Sequence, residues 1–264
     1  MSQSAALRRR PNACYRYDQP EITALTFITN MTIRSLRILH LSDVHFGQTV
    51  RNGTNWRLRR VLGEAWDKNL GEIREDGKPD LICFTGDIAY SGQSSEYAEA
   101  TLFFDELLTR LGVDKSHLFV VPGNHDVDRN INKSVWQKVR EAVAMVDRSA
   151  VAQWMAGGGI PFGFDAAWRA AMLARQQSYR DWLSAYGLSH CLPGAPGQAH
   201  PHLGYRATVS GWPQPVHIVG LDSAWLAGDD FDVRNLLLTE QQIGAHLCDA
   251  KTGVRLPEIG RAHV

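Results

Sequence analysis

Leu118-Phe119-Val120-Val121-Pro122-Gly123-Asn124-His125-Asp126 is the stretch whose reading decides the fold. Leu118 to Val121 is apolar and partly β-branched, which predicts a short strand buried on both faces. Pro122-Gly123 stops that strand and turns the chain. An amide, an imidazole and a carboxylate follow in consecutive positions, side chains suited to a metal or phosphate site.

Two similar units precede it. Arg37 to Leu41 reads as a strand ending in Ser42-Asp43-Val44-His45-Phe46-Gly47. A helix is predicted from about Trp56 to Ile73, with Leu58, Leu62, Trp66, Leu70 and Ile73 on one stripe. Leu81 to Phe84 is the second strand, ending in Thr85-Gly86-Asp87. The next helix is expected to be capped by Ser94 or Ser95 and ended by Gly112, with the stripe Tyr97, Ala100, Phe104, Leu107 and Leu111. Strand, helix, strand, helix, strand at these lengths predicts an α/β fold with a parallel sheet. Ligands bind such sheets beyond the carboxyl ends of the strands, where Asp43, His45, Asp87, Asn124 and His125 all fall.

Residues 128–203 differ in character and read as a helical insertion capping that crevice. One helix is predicted over Val135 to Met155, ended by Gly157-Gly158-Gly159. Asp165 opens a longer one with the stripe Trp168, Met172, Arg175, Tyr179, Trp182 and Tyr186. The stripe reads as core, not as a base-stacking platform. His190 to Leu203, rich in Pro, Gly and His, reads as loop, and its His200-Pro201-His202 as solvent-exposed. Tyr205–Ser210 and Pro215–Leu221 suggest a strand pair, and Glu240–Cys248 a helix. Asp222-Ser223 is either a turn or a group backing the site, and His40 a packed or hydrogen-bonded core residue.

Lys plus Arg number 28 and Asp plus Glu 28, so no global field recruits nucleic acid or an acidic membrane. No run reaches the roughly 18 apolar residues that span a bilayer. Arg8-Arg9-Arg10 is followed by Pro11-Asn12, not by an apolar run, and Cys14, Cys83, Cys191 and Cys248 form no CxxC pair. A cytoplasmic protein with free thiols is expected. Gly71 to Lys78 mimics a phosphate loop, but the glycine spacing is one residue too long and Pro79 stands where Ser or Thr is needed.

Asp-x-His, Gly-Asp and Gly-Asn-His-Asp are each weak to moderate signals alone. In this order on successive strand ends, they resemble the calcineurin-like metallophosphoesterase superfamily, closely over 36–128 and loosely over 216–247. The resemblance implies a four-layer α/β/β/α sandwich and two divalent metal ions, manganese, iron or zinc. By motif position, Asp43 and His45 would hold one ion, Asp87 would bridge both and Asn124 would hold the second. His125 would face the substrate phosphate, with Asp126 behind it fixing its tautomer. Two cations about 3.5–4 Å apart acidify a shared water that attacks phosphorus in line. The expected activity is metal-dependent phosphoester hydrolysis, with phosphodiesters such as cyclic nucleotides first. Phosphomonoesters come next, with nuclease action disfavoured by the charge balance. The alternative is an inactive module of the same fold that binds a partner or nucleotide.

Family members also take ligands from a later strand-end His and a Gly-His-x-His, and nothing after Leu247 matches either. The chain is therefore expected to lack a C-terminal part, and to bind metal weakly and turn over slowly. Residues 258–264 match one frame of a common sequencing adapter and are expected to be non-native, as is a loose tail over 1–30.

Overall fold

A computed structural model describes residues 35–48, 63–196, 198–232 and 236–248. The tails expected at 1–30 and 258–264, the start of the first helix before 63, and Cys14 lie outside them. Strands β1 (Ile38–Leu41), β2 (Leu81–Phe84) and β3 (Leu118–Val120) form a parallel sheet in that order. Its register pairs Ile38 with Leu81 and Phe84 with Val120. Helices α1 (Glu64–Asp76) and α2 (Ser94–Leu111) follow β1 and β2, as the alternation predicts. Strands β4 (Tyr205–Val209) and β5 (Val216–Gly220) form an antiparallel pair, and β5 touches β3. The fold is thus the mixed α/β one expected, helices with a parallel sheet, in agreement with the metallophosphoesterase fold.

Burial follows from composition. Leu81, Ile82, Phe84, Leu118 and Val120 are fully enclosed, and each such side chain contributes roughly 1.5–3 kcal/mol through removal from water. On α2, the spacing of Tyr97, Ala100, Phe104, Leu107 and Leu111 presents one buried face. Gly112 closes α2 at φ 63°, a left-handed conformation that glycine adopts without a Cβ penalty. The helix start differs from expectation: Gln93, not Ser94 or Ser95, is the N-cap. The Glu96 carboxylate accepts from the Gln93 N–H (2.9 Å), the Ser91 N–H (3.0 Å) and the Ser91 hydroxyl (2.7 Å). A buried carboxylate with three donors outcompetes a serine cap.

The segment after β3 holds more helices than its periodicity predicts. Val135–Met155 is split into α3 (Lys133–Val143) and α4 (Arg148–Met155), because Asp147 accepts the Ser149 N–H and restarts the helix. The later stripe is split into α5 (Trp168–Ala174) and α6 (Gln177–Tyr186). Between them Arg175 is buried, its Nη1 donating to the Ala227 carbonyl at 2.7 Å. Helix α6 packs on α2, with Trp182 near-parallel to Tyr97 (5.4 Å) and Tyr186, so its half of the stripe belongs to the sheet's own core. Trp136, Trp154 and Met172 build a second cluster with Trp225 and Leu226. The last described helix, α7 (Glu240–Leu247), is capped by Thr239.

Two single-residue expectations are corrected. His40 is exposed, not core, although its Nε2 meets the Thr85 hydroxyl at 2.6 Å as a hydrogen-bonded residue. His200 is only 1% exposed. Its Nδ1 accepts from the His202 and Leu203 N–H groups, and its ring lies 6.2 Å from buried His246 of α7. Loop composition predicted exposure, but the returning helix covers the loop. Cys83, Cys191 and Cys248 are free thiols.

Candidate metal centre

The loops leaving β1 and β2 are unusual in their backbone. Asp43, His45 and Asp87 have φ of 61°, 55° and 57°, a left-handed region that costs about 1–3 kcal/mol for such residues. Asn132 (φ 51°) is the one other non-glycine case among the described residues. The strain is held by neighbouring strand-like contacts. The N–H groups of Asp43, His45 and Phe46 donate to the carbonyls of Gly86 (3.2 Å), Asp87 (3.0 Å) and Ile88 (2.8 Å).

Gly86 and Gly123 let the second and third loops meet. A Cβ on Gly123 would lie 2.2 Å from Asp87 Oδ1, and one on Gly86 2.8 Å from Gly123 Cα. Through that gap Asp87 Oδ1 accepts the His125 N–H at 2.9 Å, while Oδ2 stands 3.4 Å from His45 Nε2. Ligand atoms of His45, Asp87 and His125 lie within 4.8 Å of one another, and the two imidazoles meet edge to face at 4.5 Å. Burial pushes the Asp87 carboxyl up, but hydrogen bonds from His45 and His125 and the two imidazole charges hold it below the usual carboxylate range. A carboxylate anion flanked by two imidazoles is a donor set suited to manganese, iron or zinc.

Of the six residues expected at the site, three therefore converge. Asp43 sits exposed at the end of β1 and is not in that cluster among the described residues. Asn124 is half-buried in the 3-10 turn Asn124–Asp126 that carries His125.

Asp126 corrects the reading that it fixes the His125 tautomer. Its buried carboxylate accepts from the N–H groups of Ile88 (3.2 Å), Ala89 (2.8 Å) and Gly123 (2.9 Å) and from the Tyr97 hydroxyl (3.0 Å). It thus ties the second loop, the third loop and α2 together. Burial, aided by the Asp87 charge, pushes this carboxyl up to about 6 against the pull of those N–H groups. The His125 partner is instead the Tyr90 carbonyl, 2.7 Å from Nδ1. A backbone acceptor leaves no residue-type signal, so only geometry finds it.

Asp222 at the end of β5 is buried, and its Oδ1 accepts from Gln176 Nε2 (3.2 Å) and the Trp225 N–H (3.1 Å). It joins the helical segment to the second strand pair. Burial pushes its carboxyl up to about 6 despite nearby Arg180.

Over 117 residues the chain is 29% identical to a subunit of the nuclease SbcCD of Escherichia coli strain K12, covering 44% of this chain and 26% of that protein. It is 26% identical over 100 residues to "Uncharacterized metallophosphoesterase-like protein YydB" of Bacillus subtilis strain 168 (38% of this chain, 19% of that protein). Over 107 residues it is 29% identical to "Probable inactive purple acid phosphatase 28" of Arabidopsis thaliana, covering 38% of this chain and 25% of that protein. The chain spans about a fifth to a quarter of the length of the curated relatives it matches. Residues 36–227, well over half the chain, match the family described as "Calcineurin-like phosphoesterase" and contain all three converging strand ends. The chain belongs to the calcineurin-like phosphoesterase family.

Proposed function

We propose that the chain hydrolyses phosphoesters at a metal centre built on His45 and Asp87, with His125 beside it facing the substrate and phosphodiesters such as cyclic nucleotides as the first substrate class. The observation that carries the reading is the convergence of these three side chains around an Asp87 held anionic. Asp43 and Asn124 would complete the donor set for two divalent ions, manganese, iron or zinc. Bound there, the ions supply charge neutralisation of the phosphate oxygens and an acidic water.

The chain's own residues then have distinct tasks. Asp87 accepts from two directions and cannot swing away, since Gly123 and the His125 N–H fix it. His125 donates a hydrogen bond to the phosphate or the departing oxygen, and its ring is oriented by the contact of Nδ1 with the Tyr90 carbonyl. Asp126 is a brace of the loops and touches no reacting atom.

Likeness to a nuclease component keeps nucleic-acid ends as a second substrate class, against which the balanced charge argues. Likeness to a protein named as inactive supports the other reading, a phosphoesterase-fold module that binds a partner or nucleotide without turnover. No described helix is long and apolar enough to cross a membrane. The free thiols Cys83, Cys191 and Cys248 support a reducing, cytoplasmic location.

Hydrolysis of bis(p-nitrophenyl) phosphate in excess Mn²⁺ tests the reading. Wild type should release nitrophenol, and His125→Asn should lose at least about a hundredfold in kcat while keeping its metal. A folded, metal-loaded wild type without turnover would leave the binding module as the reading.

A further inference from the structure

Tyr90 has no part in the reading above except through its backbone, yet its placement is not explained by packing. Ile88 and Ala89, immediately before it, are fully buried, whereas Tyr90 is 41% exposed. Burying the ring would have contributed apolar stabilisation that the fold leaves unused. The ring lies instead beside the site, near-parallel to His125 (5.5 Å, 24°) and edge-on to His45 (6.2 Å, 76°). Its backbone is fixed, because the Tyr90 N–H donates to the Phe46 carbonyl at 2.9 Å. No ordering of the main chain is therefore needed before the ring can be used.

The carbonyl adds a second effect. A carbonyl oxygen only accepts, so the 2.7 Å contact requires the proton of His125 on Nδ1 and leaves Nε2 for a ligand. We propose that Tyr90 is a positioning and specificity residue: its carbonyl sets the His125 tautomer, and its exposed ring stacks on a ring in one ester group of the phosphoester. Substrates carrying an aryl or nucleoside group are then preferred over alkyl ones. The proposal rests on the phosphoester reading, and its tests separate the two.

The first measurement is calorimetric binding of phenylphosphonate and methylphosphonate to the Mn²⁺-loaded protein. Phenylphosphonate should bind tighter by about fivefold, the scale of one aromatic contact. Tyr90→Phe should keep that preference and Tyr90→Ala should abolish it. Methylphosphonate binding without a phenyl preference, or a preference that survives Tyr90→Ala, overturns the proposal alone. Binding of neither ligand overturns the phosphoester reading and the proposal with it.

The second measurement needs no metal. In ¹⁵N-histidine-labelled protein, with the His125 signals assigned by their loss in His125→Asn, Nδ1 should carry a proton. An unprotonated Nδ1 overturns the positioning role.

Discussion

The loops at the carboxyl ends of β1–β3 and the helical cluster around Trp154 meet opposite demands. In the loops, three polar residues stand in left-handed conformations beside two glycines that no Cβ could replace. In the cluster, large apolar side chains fill space and their few polar atoms are tied off locally. Trp136 Nε1 donates to the Leu226 carbonyl (2.8 Å) and Trp225 Nε1 to the Leu237 carbonyl (2.7 Å). Strain is thus collected where the candidate ligands converge, and packing energy is collected in the helical cluster. Asp126, with four donors drawn from three elements, keeps the strained loops from relaxing.

If that division is real, substitutions in the two regions should separate stability from metal binding. Trp154→Ala empties a fully buried site and should cost about 3–5 kcal/mol in urea denaturation, with Mn²⁺ affinity of the folded protein unchanged. A matching fall in affinity would join the two regions. Gly123→Ala should cost less stability, about 1–3 kcal/mol, but weaken Mn²⁺ binding sharply, since its Cβ collides with Asp87 Oδ1. Asp126→Asn places an amide NH₂ among N–H donors and should lose about 1–3 kcal/mol. Its turnover at a temperature where it stays folded should remain within a few-fold of wild type; a loss equal to that of His125→Asn would restore it as a direct partner of the imidazole.

A further effect is one of pH. Burial, with the charges of His246 and His202, pushes the His200 imidazole down from 6.5 to about 4. Between those values the unfolded chain holds a proton that the folded chain does not, so stability falls as acid is added. His200→Asn retains an acceptor for the His202 and Leu203 N–H groups but does not titrate. Wild type should therefore have its largest advantage over the variant above pH 6.5 and lose it toward pH 4. A difference constant across that range would show that His200 is not buried neutral.

The two regions also differ in how far residues alone announce them. β2 matches its predicted bounds, and the strand-end placing of His45, Asp87 and His125 was legible, because apolar strand, turn glycine and polar ligand are adjacent in sequence. Helix breaks at 144–147 and 175–176 were not, since they depend on Asp147 capping and on burial of Arg175 against Ala227, a contact across 52 positions. His200 was misread for the same reason: only α7, far along the chain, encloses it. Tyr90 escaped because its most informative atom is a main-chain oxygen.

Asp87 is the proposed shared centre of the site, on which the other assignments depend. Titration of metal-free protein with Mn²⁺, followed by calorimetry for wild type and Asp87→Asn, measures that claim. Wild type should bind, and the variant should bind at least about tenfold more weakly with its thermal transition retained, because one carboxylate charge and ligand are gone. Equal affinities in two equally folded proteins would contradict the assignment.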